Sequence, residues 1–237
     1  MNLHDRVVLI TGSTGGLGRE FVRGALARGA SKVYATARRD VDWIALLGAD
    51  AERVVPLTLE VTDPAQIAAT ALVAADVDVL VNNAGMTGAP SLLTSPIDEI
   101  RGTYETNLFG PLELTRAFAP VLAGNGGGGV LNVLSVMSWL TSPGAYSPTK
   151  SAFWGLTNAL RVELADQDTQ VLGAHLAYAD TEMTAHLDDV PKSDPAVVVA
   201  AILDAFEAGR DEALADDITT SVHAALPTLS TGSFTRN

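Results

Sequence analysis

The chain has 237 residues, 47% hydrophobic and only 18% charged, enough apolar material to bury a core of ordinary domain size and too apolar for a disordered polyelectrolyte. Fifteen Lys and Arg against 28 Asp and Glu leave a formal charge of −13, whose field repels nucleic acid phosphates and anionic membrane surfaces. With no Cys there is no disulfide, thiolate nucleophile or Cys-based zinc site, and the four His have no metal-ligand spacing.

The chain opens on Met1-Asn2-Leu3-His4-Asp5-Arg6, which carries an acid and runs straight into an apolar strand pattern, unlike a signal peptide. No apolar stretch approaches the ~18 residues that cross a bilayer. The expectation is a soluble, cytoplasmic protein.

Short runs rich in Val, Ile and Leu predict strands at 7–10, 32–36, 54–59, 77–81, 130–134, 171–176 and 212–215. They lack polar alternation, so both faces of their sheet should be covered. Between them, Ala-rich amphipathic stretches predict helices at 16–28, 65–74, 97–123, 145–165 and 196–208. Three of these follow a cap residue and a proline, at Asp63-Pro64, Ser95-Pro96 and Asp194-Pro195. Such alternation predicts an α/β fold, a single-domain Rossmann-type doubly wound parallel sheet of about seven strands with helices on both faces. The domain is expected to span 1–237, with roughly 226–237 as a disordered tail. Gly126-Gly127-Gly128-Gly129 reads as a surface turn between a helix and a strand.

Thr11-Gly12-Ser13-Thr14-Gly15-Gly16-Leu17-Gly18 joins the first strand to the first helix. Glycines there let the backbone turn tightly and approach a pyrophosphate, while the helix N-terminus offers free N–H groups. Taken alone, such a turn also reads as a tight connection. Further along come Asn82-Asn83-Ala84-Gly85 after the fourth strand, Asn107 in the next helix and Ser135 at the end of the fifth strand. Tyr146-Ser147-Pro148-Thr149-Lys150 then opens another helix.

In this order, and over essentially the whole chain, these residues resemble the short-chain dehydrogenase/reductase family, classical branch. The resemblance implies an oxidoreductase that moves a hydride between a nicotinamide dinucleotide and a carbonyl or secondary alcohol. Tyr146 would be the general acid and base; tuning a tyrosine from its usual pKa of ~10 toward 7 asks for about 4 kcal/mol. Lys150, four residues on, lies on the same helical face and brings an ammonium to that phenol. In the family pattern Ser135 hydrogen-bonds the substrate oxygen, Lys150 also holds the nicotinamide ribose, and Asn107 supports a proton-relay water. Ser135 stands eleven residues before Tyr146, closer than is usual in the family, and Ser138 is closer still. Ser135 is preferred because it ends a strand, and the shortening then falls in the loop 139–145.

After the second strand, Ala37 stands where NAD-preferring members carry Asp, and Arg38 and Arg39 follow with guanidinium groups suited to a 2′-phosphate. NADP(H) is therefore the expected cofactor, with NAD(H) the alternative; Asp40 is placed to neutralise one arginine, and Gly15 stands where a second basic determinant often sits. Within the turn the resemblance assigns cofactor contacts to Gly12, Ser13, Thr14, Gly16, Leu17 and Gly18. Elsewhere it assigns them to Glu60, which replaces an Asp, and to Val61, Asn83, Ala84, Gly85, Thr181 and Met183. After the sixth strand the family's Pro-Gly is replaced, the segment reading His175-Leu176-Ala177-Tyr178-Ala179-Asp180-Thr181-Glu182-Met183.

Trp139, Leu140, Tyr178, His186 and Leu187 are expected to line a mainly apolar pocket for a small or medium substrate. The helices around Asn107 and Lys150 resemble those that pair family subunits, which implies a homodimer or homotetramer. A dinucleotide-binding regulator without turnover and an epimerase- or dehydratase-like reaction are the alternatives.

Overall fold

The computed structural model describes residues 1–228. Its strands β1 (Val7–Ile10), β2 (Lys32–Ala37), β3 (Val54–Thr58), β4 (Val79–Asn82), β5 (Gly129–Val133), β6 (Gln170–His175) and β7 (Glu212–Leu214) form one sheet. Their order is β3-β2-β1-β4-β5-β6-β7 and every neighbouring pair is parallel. Parallel neighbours need long crossovers. The helices are α1 (Gly16–Ala27), α2 (Trp43–Leu47), α3 (Pro64–Val73), α4 (Ile97–Tyr104), α5 (Gly110–Gly124), α6 (Tyr146–Glu163), α7 (Pro195–Glu207) and α8 (Asp217–Ala225). The chain reverses its winding between β1 and β4, which opens a crevice at the C-terminal ends of those strands.

Two apolar layers explain why the strands show no polar alternation. Val8 and Ile10 pack with Phe21, Val22, Ile202 and Phe206 under α1 and α7. Leu9, between them in sequence, points the other way and packs with Leu80, Leu114, Phe118 and Leu160 under α5 and α6.

The predicted starts at Pro64 and Pro195 carry the expected caps. Asp63 accepts from the N–H groups of Ala65 and Gln66, and Asp194 from that of Ala196. At Ser95-Pro96 no side chain caps α4; the Ser95 hydroxyl instead accepts from the Ser91 N–H. The single helix predicted over 97–123 is broken by a wide π turn, Glu105–Phe109, because Pro111 has no N–H to give the carbonyl four residues back. Helices α2 and α8 were not legible, being only five and nine residues long. Gly126, Gly127 and Gly128 form the predicted turn, all with positive φ, and β5 begins at Gly129. The predicted tail starts as the 3-10 turn Leu226–Thr228, and the rest of it lies outside the described residues. Among the described residues no helix is long and apolar enough to cross a membrane, and no group of acidic or His side chains is arranged to hold a metal.

Candidate active site

The glycine turn is held by main-chain bonds and two polar side chains. Thr11 Oγ1 accepts from the N–H groups of Asn83 and Ala84, each at 2.9 Å. Asn83 Nδ2 donates back to the carbonyls of Thr11 and Gly12 at 2.8 and 3.2 Å. Gly12 has a φ of +65°, and a Cβ on Gly18 would collide with the Gly12 carbonyl oxygen and Asn83 Nδ2, so both positions need glycine. No acid lies in the first turn of α1, and Gly15 offers no side-chain cap, which leaves the helix N–H groups for an anion.

The turn after β4 carries the crevice across to α6. Asn107 is buried in the π turn, where Nδ2 donates to the Met86 carbonyl at 2.9 Å and Thr149 Oγ1 at 3.1 Å, and Oδ1 accepts from the Met86 N–H at 2.9 Å. A π turn at a functional position is a recurrent arrangement. Here the Asn107 carbonyl is the one facing Pro111 along the helix, so it receives no N–H from that position. A Cβ on Gly85 would lie 3.3 Å from Asn107 Oδ1 and 3.8 Å from Lys150 Nζ, which brings these three residues together.

Ser135 follows β5, Tyr146 opens α6, and the loop between them is tied at both ends. Ala145 N–H donates to the Ala89 carbonyl at 2.9 Å, and Ser147 Oγ accepts from the Ser142 N–H at 3.1 Å. Ser135 Oγ donates to the Leu176 carbonyl at 3.5 Å and accepts from the Met137 N–H at 3.1 Å, and it lies close enough to the Tyr146 hydroxyl to pull that phenol's pKa down. Lys150 Nζ lies 5.7 Å from the Tyr146 ring centroid and donates to the Val133 carbonyl at 2.9 Å. The shortened spacing therefore still joins Ser135, Tyr146 and Lys150. Ser138 Oγ is buried without a hydrogen-bond partner and takes no part.

The electrostatics differ from the expected tuning. Burial pushes the Tyr146 phenol above its usual value, the Ser135 hydrogen bond pulls it down, and Tyr178 pushes it up further. Burial also brings the Lys150 ammonium down, to about 8. Desolvation, invisible in a motif, outweighs the helical neighbour that the sequence suggested.

The chain as a whole is similar to known proteins. The model of the short chain dehydrogenase family matches residues 6–191. The chain belongs to the short-chain dehydrogenase family. Dehydrogenase/reductase SDR family member 7B of Bos taurus is 30% identical over 198 residues, a match covering 77% of this chain and 60% of that relative's length. The 3-oxoacyl-(acyl-carrier-protein) reductase FabG of Escherichia coli is 31% identical over 219 residues, covering 89% of this chain and 85% of the reductase. A short chain dehydrogenase from Burkholderia cenocepacia, solved in complex with NADP, superposes with a TM-score of 0.87 at 33% identity over 96% of this chain and 94% of that one.

Within this short-chain dehydrogenase the remaining predicted residues divide into three groups. Arg38 and Arg39 are exposed at the end of β2 with no ion pair among the described residues, and Asp40 bonds its own neighbour's N–H at Val41 instead of either guanidinium. Glu60 accepts from Thr62 Oγ1, and buried Val61 sits where α5 comes close, a Cβ on Gly110 falling 2.7 Å from its carbonyl oxygen. Thr14 is exposed and Leu17 half-buried on the turn, whereas Ser13 faces inward and donates to the Ile10 carbonyl at 2.7 Å.

Of the residues expected to line the substrate, exposed Tyr178 lies close enough to Tyr146 to act on its phenol, half-buried Leu140 donates its N–H to the Val136 carbonyl, and His186 is exposed while Leu187 is half-buried. Met183, expected to contact the cofactor, is exposed. Trp139 turns away from a pocket role and stacks on His175. Thr181 packs beside the glycine turn, a Cβ on Gly16 falling 3.0 Å from its Cγ2.

Three features escaped sequence reasoning. Glu182 leans over the glycine turn, a Cβ on Gly15 falling 3.3 Å from its Oε2. Asn82 and Asn132, buried on adjacent strands, bond each other at 2.9 Å under the site. His175 and Glu212 pair across β6 and β7 at 2.6 Å. A polar residue inside an otherwise apolar strand was the only available signal for the last two.

Proposed function

We propose that this chain transfers a hydride between NADP(H) and a small or medium, mainly apolar carbonyl or secondary alcohol, with Tyr146 as general acid and base. The observation that carries the reading is the convergence of Ser135, Tyr146 and Lys150 beside Gly85 and Asn107, in the crevice that the glycine turn opens. The residues fit a dinucleotide, since the glycine cradle would be filled by any Cβ at Gly18 and the α1 N–H groups are uncapped. Arg38 and Arg39, exposed and without an ion pair among the described residues, favour the 2′-phosphorylated form, as does the NADP complex of the Burkholderia cenocepacia relative.

A bound nicotinamide supplies the hydride in reduction and accepts it in oxidation. Tyr146 gives its hydroxyl proton to the substrate oxygen in one direction and takes it back in the other. Ser135 Oγ orients that oxygen and lowers the cost of the phenolate by hydrogen bonding. Lys150, with a pKa of about 8, holds an ammonium near the phenol at neutral pH and can pass a proton without a large energy step. The Asn107 carbonyl, relieved of a helical donor by Pro111, is where a relay water would be held.

One seven-stranded sheet supports a single domain through the described residues. Ile97, Phe109 and Val162, apolar and exposed on or beside α4, α5 and α6, support assembly as a homodimer or homotetramer. The test is a panel of ketones, aldehydes and secondary alcohols followed by NADPH and NADH absorbance in both directions. Tyr146→Phe is expected to lower kcat by about 10²- to 10⁴-fold with NADPH binding retained; a near-normal rate would remove Tyr146 from the mechanism.

A further inference from the structure

Ser135 is held by more than its own strand. At the end of β6 the His175 ring is completely buried, with Nδ1 3.1 Å from the Ser135 carbonyl oxygen and Nε2 2.6 Å from Glu212 Oε2. A carbonyl oxygen only accepts, so Nδ1 carries a hydrogen and donates it, while Nε2 is hydrogen-bonded to Glu212.

Glu212 is itself fixed. Its Oε1 accepts from Trp154 Nε1 at 3.2 Å and lies 3.6 Å from the Arg161 guanidinium. Burial raises the Glu212 carboxyl, but His175, Trp154 and Arg161 together bring it below its usual range, so it remains a carboxylate. Trp139 closes one face of the imidazole, with ring centroids 3.9 Å apart and planes inclined by 19°, and His223 lies against Trp139 at 5.1 Å. Two bonds in the ring plane and one ring against its face leave the imidazole a single orientation.

Packing alone does not call for such a residue. An apolar side chain would fill the end of β6 without desolvating an imidazole and a carboxylate. The recipient of the bond is the place where the chain leaves β5 for the turn Val136–Ser138, and the Ser138 N–H already donates to the same carbonyl at 2.9 Å. The N–H of the same peptide donates to the Leu176 carbonyl at 2.8 Å, and the imidazole, from across the sheet, adds a second donor to its carbonyl next to the Ser135 Cα.

We propose that His175, held by Glu212, is a positioning residue that anchors the Ser135 carbonyl and thereby aims Ser135 Oγ at the Tyr146 hydroxyl. This rests on the reading of Ser135 and Tyr146 as the reacting pair. The groups facing Tyr146 are Ser135, Tyr178 and Lys150, none of which the test variants alter.

His175→Leu keeps apolar volume and removes both hydrogen bonds. His175→Asn returns an amide N–H close to the position of Nδ1 but leaves a gap under Trp139. With NADPH and phenanthrenequinone as the probe, His175→Leu is expected to lose about 10- to 100-fold in kcat with NADPH affinity unchanged. His175→Asn recovers most of that loss although it melts at the lower temperature. Activity that instead follows melting temperature, with His175→Leu the faster variant, overturns the proposal.

A second readout needs no turnover. The Tyr146 ring-carbon NMR resonance, identified by its loss in Tyr146→Phe, should titrate higher in His175→Leu than in the unaltered chain and return in His175→Asn; an unmoved titration also overturns the proposal. If the unaltered chain is no faster than Tyr146→Phe, the reductase reading fails instead, and the titration alone decides the role of His175.

Discussion

The glycine turn and the tyrosine helix meet in one crevice but are built from opposite materials. The turn is backbone, shaped by the absence of side chains at Gly12 and Gly18 and braced by Thr11 and Asn83. The helix site is side chain, with a buried ammonium and a half-buried phenol beside a buried serine. Adding one atom breaks the first. Removing one group disables the second, yet relieves the folded state of a desolvated charge.

The largest expected break is on the turn. Gly18→Ala drives a methyl group into the Gly12 carbonyl and should destabilise the fold by about 3 kcal/mol while abolishing NADPH binding, as read by thermal melting and cofactor fluorescence. An unchanged melting temperature would mean that the turn yields more readily than its contacts imply. Arg38→Ala leaves the turn intact and should weaken NADPH about 10- to 100-fold, through loss of a charged hydrogen bond, with NADH little affected. Equal losses for both dinucleotides would sink the phosphate assignment.

Lys150→Met probes the other side of the comparison. Its folded pKa of about 8 lies below the ordinary 10.5, so the charged form is disfavoured in the native state. That penalty is complete below pH 8 and fades as the pH rises toward 10.5, where the unfolded lysine also loses its proton. After allowance for the Val133 carbonyl left without its donor, the variant should gain about 2 kcal/mol at pH 7 and lose that advantage by about pH 10.5, while turnover collapses. Denaturant titrations across this range check the sign.

The smallest expected effect is Glu182→Gln. Removing a carboxylate from above the uncapped end of α1 should tighten NADPH binding about two- to fivefold, since the acid repels the anion that the turn receives. Tighter binding of NADPH at low salt, fading at high salt, would confirm an electrostatic origin.

Much of this was legible along the chain. The strands were readable because short apolar runs recur between amphipathic stretches, and the turn because Gly12, Gly16 and Gly18 follow the first of them. The break at Glu105–Phe109 was visible in principle through Pro111, but the surrounding apolar pattern outweighed one residue. Glu212 and His175 were not readable as a pair. They lie 37 positions apart and meet only through the β6–β7 register, which sets Gly173 opposite Glu212 and His175 opposite Leu214.

The sequence by itself determined the order of the strands and of the longer helices, the glycine turn and the residue types that hydride chemistry needs. These depend on neighbours within one or two turns or along one strand, where backbone sterics and apolar periodicity act. Only the tertiary structure decided that Ser135 lies beside Tyr146, that Trp139 faces His175, that Arg38 and Arg39 have no ion pair among the described residues and that burial lowers the Lys150 pKa. Hydrogen-bond partners and access to water are set by segments far apart in the chain, and no local pattern carries that information.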